Sequence, residues 1–434
     1  MSSDEIQTLI FGPNPVQEDV QRWLQEGFVF SSTVVWGLRQ HQGGPCAVLA
    51  PVQGFILANL LGKDLMPEPS ALECKQTLCN ALSNILWRAR PDQASGAFWD
   101  GQQYSSTETL TVAIGKCRLE DAGSVMAFVR SLILTRTVEG VRTDLSYDSD
   151  PLVSRFGHGT QELANLCLFG RAVSHLFDGK RMLSPNVEIC GVPARGPIGL
   201  LSELEVLQYQ KVGNWCRYPE LPIWIIASSS HYTILFSMDL EVGKISDSQA
   251  LEHCAHADFS RYDESDSGFI SINDLGDLLS SLRRTELTSG QQFEQFKYQV
   301  DPEGTGVVLW QSLWNALQSG SSDNDCWSCS ACTYINEPQA EVCEVCFTAK
   351  LQIPVSTNCS TKPLGPQEFL LYHYNGIENH QGAHVQCTEV AVQVIDAEGI
   401  PQGLSAGRGL REVVQTRWPD AIVDFPCGVE PRIT

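Results

Sequence analysis

Four cysteines, Cys329, Cys332, Cys343 and Cys346, constrain this chain more than any other feature. They form two C-x2-C pairs ten residues apart, the spacing of a tetrahedral four-thiolate zinc site. The roughly 25 residues around them (326–350) hold too little apolar material to fold without a metal, so a small structural zinc knuckle is expected there. Cys326 lies just outside and is a competing ligand. Polar stretches flank the knuckle: SGSSDND (319–325) and LQIPVSTNCSTKPLGP (351–366) read as linkers.

The rest of the chain must be arranged around this unit. Helical spacing appears in 51–62, 71–90 and 161–178, and strand-like apolar runs in 110–114, 223–227 and 232–237. From 247 to 318 the texture changes to two helix–loop–helix patterns. After the knuckle, FLLYHYNG, HVQCTEVAVQVID and AIVDF return to strand patterns. A chain that leaves a core and comes back to strands predicts an insertion. The expected domains are therefore 1–246 and 367–434 as two parts of one α/β (α+β) catalytic domain, interrupted by a helical pair (247–318) and the zinc unit with its linkers (319–366).

The 434 residues suffice for a large core, and 43% hydrophobic with 18% charged residues is an ordinary globular balance. A formal net charge of −22 argues against nucleic acid and against an anionic membrane surface as partners. No segment approaches the ~20 apolar residues needed to span a bilayer. The start, MSSDEIQTLIFGPNPVQEDVQ, lacks the pattern of a secretory signal, so the sixteen cysteines read as thiols, metal ligands or a nucleophile rather than disulfides. The expected compartment is cytoplasm or nucleus.

One cysteine stands apart. In LRQHQGGPCAVLAPVQGFIL (38–57), the turn Gly43-Gly44-Pro45 delivers Cys46 to the start of an apolar helical stretch, with Pro51 awkwardly close behind. A thiol at a helix N-terminus faces the positive end of the backbone dipole, which favours the thiolate nucleophile. Gln40, six residues ahead, can reach back to donate to an oxyanion, alongside the Cys46 amide. The bland alternative is a small buried residue behind a glycine turn. That reading is assigned to Cys74, Cys79, Cys117, Cys167, Cys190, Cys216 and Cys254, which lack such a setting. A thiolate needs a histidine partner. His231 lies in WIIASSSHYTILFS, where alternation groups Ser229, His231 and Thr233 on one strand face; His373 has a similar setting, His41 is close in sequence to Cys46, and spacing does not choose among them.

QHQGGPCAVLAPVQ, GRAVSHLFDG, GLLSELEVLQYQKVGNWCRYPELPIWII, SSSHYTILF, LYHYNG and VQTRWPDA together resemble the MINDY family of deubiquitinases, in the branch with calcium-loop-like helices. The resemblance implies a papain-like cysteine protease fold and cleavage of polyubiquitin, with preference for the linkage that marks proteins for proteasomal destruction. It implies Cys46 as nucleophile, His231 as catalytic histidine and Gln40 as oxyanion stabiliser. The residue that orients His231 stays open, with Thr233 or a carboxylate of the C-terminal strands as candidates. Other readings are an inert ubiquitin-binding adaptor and a protease for a ubiquitin-like modifier.

Trp327 and Asn336 make the knuckle similar to the Ran-binding-protein type of zinc finger, and Thr333, Tyr334 and Val345 fall where the ubiquitin-binding (NZF) members make contact. Tyr334 departs from their usual phenylalanine. Glu337, Glu341 and Glu344 disfavour a phosphate backbone. In the helical pair, DESDSGFISIND (263–274) reads as an EF-hand loop with Asp263, Ser265, Ser267 and Asp274 at calcium-ligand positions and Gly268 at the turn. DPEGTGVVLWQS (301–312) is its partner, starting 38 residues later. Serines at two ligand positions, and Asp or Ser in place of the bidentate Glu, predict the fold with weak or no calcium binding.

Overall fold

The protein was analysed as a computed structural model, which describes residues 3–40, 44–61, 69–93, 95–146, 150–184, 187–263, 267–284, 287–319, 327–328, 335–336, 340, 367–377, 386–394, 409–419 and 421–433. The chain divides into two compact units: 1–176 with 196–244 and 365–434, and 177–195 with 245–364.

The first unit is built on a six-stranded sheet. Its strands lie in the order Ala421–Asp424, Gln386–Val394, Glu368–Asn375, Tyr232–Phe236, Ile223–Ala227, Gly199–Ser202. All neighbours are antiparallel except the last two. The C-terminal strands thus join the earlier ones directly, through pairs such as His373 with Leu235.

Pleating sends alternate residues of the Ile223–Ala227 strand to opposite faces. On one face Trp224 and Ile226 join Leu235, Leu371, Val390 and Val392 beneath the helix Leu410–Arg417. Trp224 and Trp418 meet there edge to face at 5.4 Å. On the other face lies the helix Cys46–Leu60, where Gly54 comes so close to Ile198 and Ile225 that an added Cβ would sit 3.1 and 3.5 Å from their side chains. This helix is apolar all round because both its faces are covered; Cys46 through Leu57 are all buried. Pro51 sits in its second turn, and the helix runs on to Leu60.

Two expectations fail. Residues 110–114 are not a strand but the middle of a helix, Thr107–Gly115, which Ser106 caps by accepting a hydrogen bond from the Thr109 amide. An apolar run of that length fits either element, and the serine was the signal that decides it. The helix expected over 161–178 ends at Phe169, because Gly170 takes the left-handed conformation (φ 72°) that stops it.

The second unit contains the helical pair, with helices Asp247–Phe259, Leu275–Ser281, Gly290–Val300 and Trp310–Ser319. The two loops pair through short antiparallel strands, Ile270 opposite Val308. Phe259, Leu275, Leu278, Leu279, Phe296 and Leu313 close the core around them. Asp263 accepts hydrogen bonds from the amide and hydroxyl of Ser267 (both 2.8 Å) and from the Gly268 amide (2.7 Å). Asp301 repeats the pattern on Thr305 and Gly306. In each loop the carboxylate at the first ligand position therefore closes the turn onto its own backbone. Ser265 lies outside the described residues, and among those described no cluster of three or more acidic, His or Cys side chains could hold a metal. Cys329, Cys332, Cys343 and Cys346 with Thr333, Tyr334 and Val345 also lie outside them. On either side of the first cysteine pair, Trp327 pairs with Asn336 and Ser328 with Ile335 as a short hairpin. No described helix is long and apolar enough to cross a membrane.

Candidate active site

Cys46 is the first residue of its helix, with Pro45 before it. The backbone amides of Tyr232, of Ala47 and of Cys46 itself act on the sulfur to lower its pKa. These donors favour the thiolate, as a helix N-terminus should. Burial outweighs them: the side chain is 4% exposed, and desolvation pushes the thiol up to about 11. The expected lowering of the Cys46 pKa is thus reversed in this state. The Cys46 amide also donates to the Gly44 carbonyl (3.0 Å), so the backbone donor expected for an oxyanion is engaged.

His231 stands one residue ahead of Tyr232, at the end of the turn that joins the two central strands. It is not on a strand face: its amide donates to Ser228 Oγ (3.1 Å), and the Ser228 hydroxyl donates to its carbonyl (2.9 Å). The strand that follows is buried on both sides, which is why alternation of polar and apolar residues did not describe it. Its Nε2 lies 3.2 Å from Asn375 Oδ1. That oxygen also accepts from the Ile377 amide (3.1 Å), and Asn375 Nδ2 donates to the Arg432 carbonyl (3.4 Å), which fixes the carboxamide's direction. An amide oxygen only accepts, so Nε2 carries the proton and Nδ1 is left as a base. Burial lowers His231 to about 4, with the Asn375 bond opposing and His158 adding to the lowering.

Thr233, a candidate for orienting His231, is instead 2.9 Å from His373 Nε2. His373 is wholly buried and lowered to about 3, so its role there is packing and hydrogen bonding within the sheet. His41 lies outside the described residues.

Gln40 is held between the Cys46 helix and the C-terminal strands. Gln53, on that helix, accepts from the Leu38 amide (2.6 Å) and donates to the Trp36 carbonyl (3.1 Å), and Tyr374 donates to the Leu38 carbonyl (2.8 Å). The Gln40 amide then bonds the Gly376 carbonyl (2.8 Å). At Gly376 an added Cβ would fall 2.6 Å from the Leu38 carbonyl and 2.9 Å from Gln40 Cγ, so only glycine allows this approach. Gln40 is 2% exposed, and its Oε1 has no hydrogen-bond partner.

The structure thus links Gln40 to His231 through Gly376 and Asn375, while Gln53 ties the Cys46 helix to the segment before Gln40 and Tyr232, next to His231, lies near the sulfur. Sequence reasoning missed Asn375, Gly376 and Gln53. The signal for the first two was the Asn-Gly at the end of LYHYNG, which marks a strand giving way to a turn. Of the cysteines assigned to packing, Cys74, Cys79, Cys167, Cys216 and Cys254 are buried, whereas Cys117 and Cys190 are half-buried.

A thiol and an imidazole with one committed and one basic nitrogen can carry out acyl transfer when they meet. The family profile described as "Deubiquitinating enzyme MINDY-3/4, conserved domain" matches residues 7–117 and 102–254, more than half of the chain and including Gln40, Cys46 and His231. The chain belongs to the MINDY-3/4 family of deubiquitinating enzymes. Among curated MINDY proteins, ubiquitin carboxyl-terminal hydrolase MINDY-3 of Bos taurus is 28% identical, covering 96% of this chain and 95% of its own length. The Homo sapiens MINDY-3 is 28% identical over 92% and 91%, and that of Xenopus tropicalis 31% over 67% and 75%. No solved structure matches.

Proposed function

We propose that this deubiquitinating enzyme hydrolyses isopeptide bonds in polyubiquitin by a papain-like thiol mechanism, acting on the linkage that marks proteins for proteasomal destruction. Cys46 attacks the carbonyl of ubiquitin's C-terminal glycine while its proton passes to Nδ1 of His231. Because both groups rest neutral, the proton moves with the attack rather than before it. Gln40 stabilises the oxyanion with its Nε2 amide. His231, held by Asn375, then gives the proton to the departing lysine amine and leaves a thioester. Water attacks the thioester, its proton returns through His231 to the sulfur, and the ubiquitin carboxylate departs.

The observation that carries this reading is the packing of the Cys46 helix against the strand that begins one residue after His231, with Asn375 on His231 Nε2. A ubiquitin propargylamide probe tests it. Labelling that disappears in Cys46→Ala supports the reading. A chain that binds ubiquitin but never labels is an adaptor, and labelling only by the probe of another modifier makes it a protease for that modifier.

The same reading assigns Cys329, Cys332, Cys343 and Cys346 to a structural zinc, and Thr333, Tyr334 and Val345 to a ubiquitin contact. Its support is the sequence spacing, with Trp327 and Asn336 paired across the hairpin. Replacing Thr333 and Tyr334 together by alanine in the full chain should weaken ubiquitin binding and leave one zinc per chain by elemental analysis. Unchanged affinity would make the knuckle purely structural. The EF-hand-like pair is read as structural, with its loops closed by Asp263 and Asp301 rather than by calcium.

A further inference from the structure

Beside the thiol lies a short turn, Ser154–Gly159, that the mechanism above does not use. It is tightly built: the Ser154 amide donates to the His158 carbonyl (2.8 Å) and the Gly157 amide to the Ser154 carbonyl (2.9 Å). The indole of Trp23, wholly buried, donates to the Gly157 carbonyl (2.9 Å) and anchors the turn from below. Gly159 presses against the nucleophile's helix; a Cβ there would fall 2.7 Å from the Cβ of Ala47, the residue after Cys46. His158 is half-buried, its Nδ1 is buried without a hydrogen-bond partner, and its nearness adds to the lowering of His231. One end of the turn therefore packs on the helix that carries Cys46, and His158 lies near enough to His231 to oppose its protonation.

The tip behaves differently. Phe156 is 66% exposed, and the Arg155 guanidinium lies 4.8 Å from its ring centre. A lone exposed apolar side chain needs no explanation on an ordinary surface. Here the ring sits on a backbone pinned at both ends, two residues from His158 and three from the glycine that touches the nucleophile's helix. A rigid aromatic in that place binds at little cost in ordering.

We propose that the Ser154–Gly159 turn is one wall of the passage that leads the extended C-terminal segment of ubiquitin to Cys46, with Phe156 as its apolar contact. The inference rests on the functional reading above and names a surface for that same substrate. A chain end that delivers its last carbonyl to Cys46 must pass the start of the helix, against which Gly159 packs at Ala47. Phe156 then covers an apolar side chain a few residues upstream of the scissile bond.

The test uses the full chain and two reagents for the same sulfur: ubiquitin propargylamide, which must occupy the passage, and iodoacetamide, which need not, read at Cys46 by peptide mass spectrometry. Phe156→Ala should lower the rate constant with the ubiquitin probe by about tenfold, the loss of one aromatic contact, and leave alkylation by iodoacetamide unchanged. Phe156→Trp should react with both reagents at near the native rate. Unchanged ubiquitin labelling in Phe156→Ala would overturn the proposal, and so would an equal loss with both reagents, which would make the turn a support for the thiol only. A native chain that alkylates at Cys46 but never reacts with the ubiquitin probe would overturn the functional reading itself, and this wall with it.

Discussion

Two regions of this chain handle polar groups in opposite ways. In the EF-hand-like loops, Asp263 and Asp301 each have both carboxylate oxygens taken up by amides and hydroxyls of their own loop. At the thiol site, Gln40 Oε1 and His158 Nδ1 are buried without partners, and Cys46 and His231 are held neutral by burial. Buried groups are normally satisfied, because an unmade hydrogen bond costs about 1–3 kcal/mol. The loops therefore look finished as they stand, whereas the thiol site keeps hydrogen-bonding capacity open for something that arrives. The contrast separates a structural element from a reactive one more sharply than the residue types do, since both regions are rich in polar side chains.

The contrast can be broken at several points. Gln40→Ala should slow turnover of ubiquitin chains by roughly ten- to a thousandfold, as loss of one oxyanion donor does, with the melting temperature nearly unchanged; an unaltered kcat removes Gln40 from the chemistry. Asn375→Ala frees the His231 ring, and a misplacement of about 1 Å costs on the order of a hundredfold in kcat. Asn375→Asp, which keeps the acceptor, should recover part of that loss. If Asn375→Ala changes only KM, the carboxamide is not orienting the imidazole.

Acid should act on the catalytic unit through its neutral histidines. His231 titrates near 6.5 when unfolded and about 4 when folded. Between those values the unfolded chain binds more protons, so stability falls as pH drops through that window and levels off below it. A His231→Asn variant should show a shallower fall in melting temperature from pH 6.5 to 4; an identical slope would mean that His231 is not buried in its neutral form. The smallest effects belong to the loops. Asp263→Ala should destabilise the helical pair by about 1–3 kcal/mol, seen as an earlier melting transition, and millimolar calcium should leave the native melting curve in place. A calcium-induced rise would show that Asp263 can turn outward to a metal.

Much of the fold was legible in the sequence, and for physical reasons. The strands 223–227 and 232–236 announced themselves as apolar runs between turn residues because the sheet there is covered on both faces, and 368–375 and 386–394 as strand patterns although one of their faces is partly exposed. The helix of Cys46 followed from a glycine-proline turn before an apolar stretch. Residues 110–114 did not, since an apolar run of five fits a strand or a helix turn equally well until Ser106 is recognised as a cap. At the site, Cys46 and Gln40 could be named from local spacing, whereas His231 needed the family resemblance. Asn375 was invisible: its partner lies 144 residues away, and such a separation leaves no trace in local pattern. The same limit applies to Trp23, 134 residues from the carbonyl it holds.

The close approach at Gly376 has a consequence for how the enzyme comes into being. Thiol, imidazole and carboxamide are all encoded before residue 232, yet the strand that clasps Gln40 and steadies His231 emerges from the ribosome only after the entire second unit. A nascent chain would therefore carry its reactive sulfur for well over a hundred residues of synthesis without the means to use it. Activity would switch on only once Asn375 and Gly376 slide into place, a natural delay for a hydrolase made amid the very tags it removes.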